Sequence, residues 1–331
     1  MVRPPDLIAH ADWSLSPRHR RMTVAVRVPS RSRKPRYRLR PPGPVGEPST
    51  LLARLRARAG KRAAVLVGFD FPIGLPRAYA ERVGVTDFPA LLAALGRQED
   101  QWADFLRVAE RPEDISLRRP FYPRHRGRTA ELLSALGLKR FDDLRRACDL
   151  GHEGRRPAAA LFWTFGQQQC GKSAIAGWRD VLIPALTQPD PAARPRLWPY
   201  DGTLADLLRP GSTVIAEAYP AEFYGPLGVR FGRAAAPAAV PFGKPVREAR
   251  AANGPAILRF AESVGAAVSQ RLARAIRTGF GDAADAEDRF DCLVGALGML
   301  AAATGRGRFA EPTDPAVRRV EGWIFGQPPR P

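Results

Sequence analysis

At 331 residues with 45% hydrophobic content, the chain can hold one large domain or two ordinary ones, and disorder is not its default. Its 52 basic against 33 acidic residues leave a formal charge of +19, a field that draws polyanions, nucleic acid foremost. Three cysteines without CxxC spacing exclude a disulfide framework or zinc knuckle and fit a reducing cytoplasm. No apolar run approaches the ~20 residues of a bilayer span, so a soluble cytoplasmic protein without a membrane partner is expected. Only Lys34, Lys61, Lys139, Lys172 and Lys244 are lysines, which leaves a compositional origin for the arginine-rich charge open.

In chain order, "DLIAHADWS" predicts a short strand that closes on a polar turn. "RMTVAVRV" alternates Met22, Val24, Val26 and Val28 with Thr23, Ala25 and Arg27, the period of a half-buried strand. "PRYRLRPP" alternates more weakly and predicts a third, outer strand bounded by prolines. Short connections between the three make an antiparallel meander. "PSTLLARLRARAG" predicts a helix capped by Ser49 or Thr50, with Leu51, Leu52 and Leu55 on one face and Gly60 at its end. "AAVLVGFDFPIG" is nearly unbroken in its apolarity, as a buried parallel strand is. The next strand signal, "STVIAEAYPAEFY", comes only at 212–224. Residues 76–210 therefore read as a mainly helical insertion. The chain closes with two helices, the last carrying the stripe Leu293, Val294, Leu297, Leu300 and Ala301 up to Gly305. Three meandering strands, a helix and two parallel strands are the order of a ribonuclease-H-like domain. The expectation is one α/β domain: a mixed five-stranded sheet with the insertion between strands four and five.

Three acids share one local grammar. Asp12 follows "LIAHA", Asp70 follows "VLVGF" and Glu217 follows "TVIA", each at the end of an apolar strand. Carboxylates so placed are costly to bury unless a cation compensates, and a divalent metal is the usual one. In the expected sheet the three strand ends share one edge, where ligands bind open sheets. Asp288 and Asp291, three residues apart on the last helix, add a fourth ligand; Asp288 reads equally as a favourable charge at the helix N-terminus. The metal set is thus Asp12, Asp70, Glu217, Asp288 and Asp291, with Asp12, Asp70, Glu217 and Asp291 as the catalytic acids and Mg²⁺ or Mn²⁺ as the ion.

The segments "GFDFPIGLP", "AEAYPAEFY" and "EDRFDCLVGALGML" resemble the domain of unknown function 429, a predicted nuclease family with a ribonuclease-H-like fold. "ADWS" fits its first-strand acid, although the flanking glycines are missing, and Cys292 stands where a small alanine is usual. The resemblance runs from about Ala11 to Ala303 and implies that Asp12, Asp70, Glu217 and Asp291 bind metal. It implies a two-metal phosphodiesterase acting on DNA or RNA. A non-catalytic nucleic-acid-binding protein on the same fold is the alternative.

A further alternative lies in "GQQQCGKS", residues 166–173, which satisfies the Walker A pattern with Gly166, Gly171, Lys172 and Ser173. "ALFWTF" would be its strand and "SAIAGWRDVL" its helix, but the loop interior has no glycine and the domain has already begun upstream. A coincidence is the better reading. Lys172 and Lys244 remain candidate phosphate contacts. Ser16 to Pro42 carries ten basic residues, among them Arg36, Arg38 and Arg40, and no acid: a phosphate-following edge or a solvated one. "SLRRPFYPRHRGR" interleaves Arg118, Arg119 and Arg124 with Phe121 and Tyr122, either a stacking surface for single strands or a packed loop. His10, His19 and His152 have no ligand spacing.

Overall fold

The alternation of the first forty residues becomes an antiparallel meander in the computed structural model, which describes residues 3–29, 36–166, 169–232 and 243–328. β1 (Leu7–Asp12) pairs with β2 (Arg21–Val28), and β2 with β3 (Arg36–Leu39). β4 (Gly43–Pro44) adds two residues beside the start of β2. Helix α1 (Leu51–Ala59) buries Leu51 and Leu55 and stops at Gly60, whose φ of +98° few other residues tolerate. Neither Ser49 nor Thr50 caps α1 with its side chain. Pro48 starts a 3₁₀ turn ahead of the helix, and Glu47 accepts the Ser49 N–H there. β5 (Val65–Phe69) follows, wholly buried and parallel to β1.

The chain divides into two compact units. One comprises Met1–Asp70, Leu204–Ala310 and Phe325–Pro331; the other comprises Phe71–Thr203 and Glu311–Ile324. The second unit thus begins one residue after Asp70 and recruits a late segment that the expected 76–210 insertion lacked. It contains α2 (Arg77–Val83), α3 (Phe88–Gly96), α4 (Thr129–Leu136), α5 (Gly171–Gly177) and α6 (Ile183–Leu186), with the two-residue strand β6 (Arg196–Leu197). Phe88, Phe105, Phe121, Phe162 and Trp178 are buried and meet edge to face or stacked at its centre.

Back in the first unit, α7 (Leu204–Leu207) leads into β7 (Thr213–Glu217), parallel to β5. After it come α8 (Pro220–Leu227), α9 (Arg247–Ala252), α10 (Gly254–Ser263), β8 (Ala266–Ala267), α11 (Gln270–Arg277) and α12 (Ala286–Ala303). The strands of this unit run β7-β5-β1-β2-β3-β8, with β4 on β2. β3 is therefore not the outer strand: the alanines of β8 pair with Tyr37 and Arg38. The chain is a mixed α/β protein with a mixed sheet, parallel at β1, β5 and β7.

α12 is buried on every side from Phe290 to Ala303, more than the single stripe expected. It packs against β1 and β2 on one side and α8 on the other. Glycines set how closely it sits. A Cβ at Gly295 would lie 2.4 Å from the His10 ring, and one at Gly298 would lie 2.1 Å from Phe223. Gly295→Ala should therefore cost about 1–3 kcal/mol in urea unfolding, as overpacking does. An unchanged midpoint would mean that α12 is not seated on His10.

Candidate functional site

The two-residue period of the strands decides which acids meet. Ala11 pairs with Phe69, and Phe69 with Glu217. Asp12 and Asp70 come next along their strands and face the same way as His10 and Gly68, toward α12. Glu217 is level with Phe69, so its side chain leaves the opposite face of the sheet. That corrects the expectation that Glu217 completes the set. It is a buried residue whose carbonyl accepts the Phe325 N–H at 2.8 Å.

α12 supplies the remaining acids. The carboxyls of Asp12 and Asp70 are hydrogen-bonded to each other, and Asp12 also reaches Asp288. The Trp13 N–H donates to Asp70 Oδ1 at 2.6 Å and fixes that end of the pair. Asp291 accepts from the Tyr224 hydroxyl at 2.7 Å and forms an ion pair with the Lys244 ammonium. Lys244 Nζ also lies 3.8 Å from Glu287, and His19 Nδ1 lies 3.3 Å from Asp288 Oδ2. β1, β5 and α12 thus bring Asp12, Asp70, Asp288 and Asp291 to one end of one face, with Lys244 beside them.

Burial and like charge dominate the electrostatics. Burial, then the charge and hydrogen bond of Asp70, push the Asp12 carboxyl well above the usual range. Burial raises Asp70 to about 6, against the hydrogen bonds from Asp12 and the Trp13 amide. Asp288 is raised as well, by burial, with His19 opposing. The Lys244 ammonium loses solvation, yet Asp291 holds its pKa above the ordinary lysine range. Burial keeps His10 neutral, its pKa lowered to about 4, with Nε2 donating to the Ala218 carbonyl at 2.8 Å. The cluster favours protons or cations.

The donor set, carboxylate oxygen throughout, suits a hard divalent ion. As placed, the carboxyls bond to one another and do not open on a common point. Among the described residues no group of three or more His, Cys, Asp or Glu side chains is arranged to hold a metal ion as it stands.

The other expected contacts belong to the second unit, and most have structural work there. Tyr122 is 1% exposed and its hydroxyl donates to Glu131 at 2.6 Å, which leaves no ring face for a base. Phe121 is in the aromatic core. Arg118 stacks over Trp102 at 3.8 Å, Arg119 donates to the Val108 carbonyl at 2.9 Å, and Arg124 pairs with Glu110. The stacking-platform expectation fails because its aromatics are interior. The P-loop fails too. Residues 160–165 form turns and one isolated bridge, not a strand, and the Gly171 amide donates to the Trp163 carbonyl at 3.1 Å. Ser173 Oγ donates to the Cys170 carbonyl at 2.8 Å; Gln167 and Gln168 lie outside the described residues. Lys172, half-buried in α5, has no such loop to serve.

Tyr224 and His19 escaped the sequence reading. Tyr224 carried a signal, since "PAEFY" places it one turn into the helix that follows an acid-bearing strand. His19 carried none, because its approach to Asp288 depends on the β1–β2 turn. Comparison of the chain with protein-family models, curated proteins and solved structures gives no match. Among the described residues no helix is long and apolar enough to cross a membrane.

Proposed function

We propose that the chain is a divalent-metal-dependent phosphodiesterase acting on DNA or RNA, on a ribonuclease-H-like sheet. One observation carries this reading: aspartates from β1, β5 and α12 converge, hydrogen-bonded and strained by burial, at the carboxyl end of parallel strands. The strand order, a meander followed by two parallel strands, supports it, as does the resemblance to domain of unknown function 429. Asp12, Asp70, Asp288 and Asp291 would hold Mg²⁺ or Mn²⁺, which supplies an activated water and charge stabilisation at the leaving oxygen. Tyr224 and Lys244 orient Asp291, His19 steadies Asp288, and the Trp13 amide fixes Asp70.

A second reading is a non-catalytic nucleic-acid-binding protein on the same fold. The Lys244–Asp291 pair favours it, since a resident ammonium offsets part of the acidic charge without metal. Labelled DNA and RNA panels, titrated with Mg²⁺ and Mn²⁺, separate the two. The phosphodiesterase reading expects cleavage that EDTA stops and that Asp12→Asn lacks. Tight binding without cleavage at any metal concentration would leave only the second.

A further inference from the structure

The start of α12 carries more than the acids. Between it and the start of α9, the first unit opens a cavity of about 340 Å³. Lys244 joins the two places. Its Nζ lies 3.8 Å from Glu287, which lines the cavity, and pairs with Asp291 in the carboxylate cluster. Glu287 and Asp291 are one turn apart on α12, roughly 6 Å along its axis. The cavity is the acids' immediate neighbour.

Its floor is Arg250, which is 3% exposed and spends its N–H groups on backbone carbonyls. Nε donates to Gly279 at 2.8 Å, and one terminal nitrogen donates to Gly281 at 2.9 Å. The other terminal nitrogen meets the Lys244 carbonyl at 2.8 Å and the Pro245 carbonyl at 2.7 Å. One buried side chain thus clamps the segment that delivers Lys244 to the turn that leads into α12. That turn is strained: Gly279, Phe280 and Gly281 have φ of +61°, +63° and +75° in succession. A phenylalanine stays in that region only where its surroundings hold it, as Arg250 does here. Walls so fixed need no ordering around a ligand.

We propose that this cavity takes an unpaired nucleobase of the strand whose phosphate lies at the carboxylates. Pro245, Val246, Ala283 and Ala284 supply apolar wall for the flat faces of a base. Its charges disfavour a phosphate. Glu248, Asp282 and Glu287 bring three carboxylates to the lining, Arg247 is paired with Asp282 at 2.9 Å, and Arg250 is committed to carbonyls. Glu248 has no partner among the described residues. Such an accepting rim selects among bases. The amino groups of adenine N6 and cytosine N4 can donate to it, whereas thymine O4 is itself an acceptor. Amino-bearing bases are therefore favoured over thymine and uracil. That the strand's phosphate lies at the acids rests on the phosphodiesterase reading; the preference for amino groups rests on the cavity alone.

The test is fluorescence anisotropy of labelled single-stranded dA, dC and dT homopolymers, in EDTA and again in Ca²⁺, which can neutralise the acids. The wild type should hold dA and dC about tenfold more tightly than dT, toward the low end of what one matched base contact discriminates. Ala284→Phe, at an exposed position, should fill the cavity and bring all three polymers to the dT affinity. Glu248→Gln, also exposed, should narrow the preference. Both variants should melt and respond to Mn²⁺ as the wild type does. Equal affinities in the wild type would overturn the proposal, as would a preference left intact by either variant, or no binding of any polymer. Base preference without cleavage at any Mn²⁺ concentration would count against the phosphodiesterase alone. Cleavage without base preference would count against the cavity alone.

Discussion

Asp70→Asn should stabilise the metal-free protein at pH 8, by on the order of 2–3 kcal/mol, and should remove its response to Mn²⁺. The sign follows from the direction of the shift. Asp70 titrates near 6 in the fold, above the ordinary carboxylate value near 4, so the folded state binds the proton more tightly than the unfolded state. Stability from that proton is complete below about pH 4 and is lost as pH rises through about 6. Asparagine takes away the buried charge and keeps the carbonyl oxygen that the Trp13 amide meets at 2.6 Å. Its amide can donate to Asp12, which relieves the strain on that acid as well. Urea titrations at pH 5 and pH 8 should show the wild type losing stability between them and the variant losing less, the remainder coming from Asp12 and Asp288, which burial still raises. Mn²⁺ should raise the wild-type melting temperature at pH 8 and leave the variant unmoved. Cleavage should fall by more than the roughly 10–100-fold that even outer-shell partners of a metal cost. A variant that is less stable at pH 8, or that still answers to Mn²⁺, would remove Asp70 from the site.

Asp70 was also the most legible acid, because nothing local explains a charge inside "VLVGFDFPIG". Glu217 shows where that legibility stopped. "An acid at the end of an apolar strand" describes Asp12, Asp70 and Glu217 alike, but it does not fix the parity of each acid. β7 keeps its pairing through Glu217, whereas Asp70 falls one residue past the last pair of β5. A single residue turns a side chain to the other face, and only the register supplies that residue. The meander and the parallel pair were readable because alternation and unbroken apolarity are local signals. β8 was not, since two alanines carry no period. "GQQQCGKS" misled in the reverse direction: four matched positions specify a phosphate loop only when a strand delivers them, and Thr164 and Phe165 lie in no strand. Lys244 could be picked as a cation from the sequence, but not its partner, because Asp291 is 47 residues further on and reached only through the fold.

Replacing Lys244 by methionine should produce the second large effect, and in a pH-dependent manner. The ammonium pairs with Asp291 and is attracted also by Asp12 and Glu287. Breaking a buried pair from one side costs about 3–5 kcal/mol, but Lys244 is 30% exposed, so a loss nearer 2 kcal/mol is expected at pH 8. The raised lysine pKa means that the ammonium stays charged throughout pH 5–8, so its own titration contributes nothing in that window. The pH dependence comes from the carboxyls it leaves behind. Without the cation, Asp12, Asp70 and Asp288 are pushed up further, so the variant should lose stability more steeply than the wild type as pH rises from 5 to 8. Lys244→Arg, which keeps the charge, should restore most of that loss. Divalent metal offers a sharper discrimination. If the ammonium now does part of a cation's work at Asp291, its removal should tighten Mn²⁺ binding by calorimetry at pH 8, by about tenfold for a coupling near 1.4 kcal/mol. If Lys244 served only to fill space, methionine would match it at both pH values and Mn²⁺ affinity would not move. Weaker Mn²⁺ binding would show instead that the lysine holds Asp291 in place for the ion, and the counter-ion role would have to be abandoned.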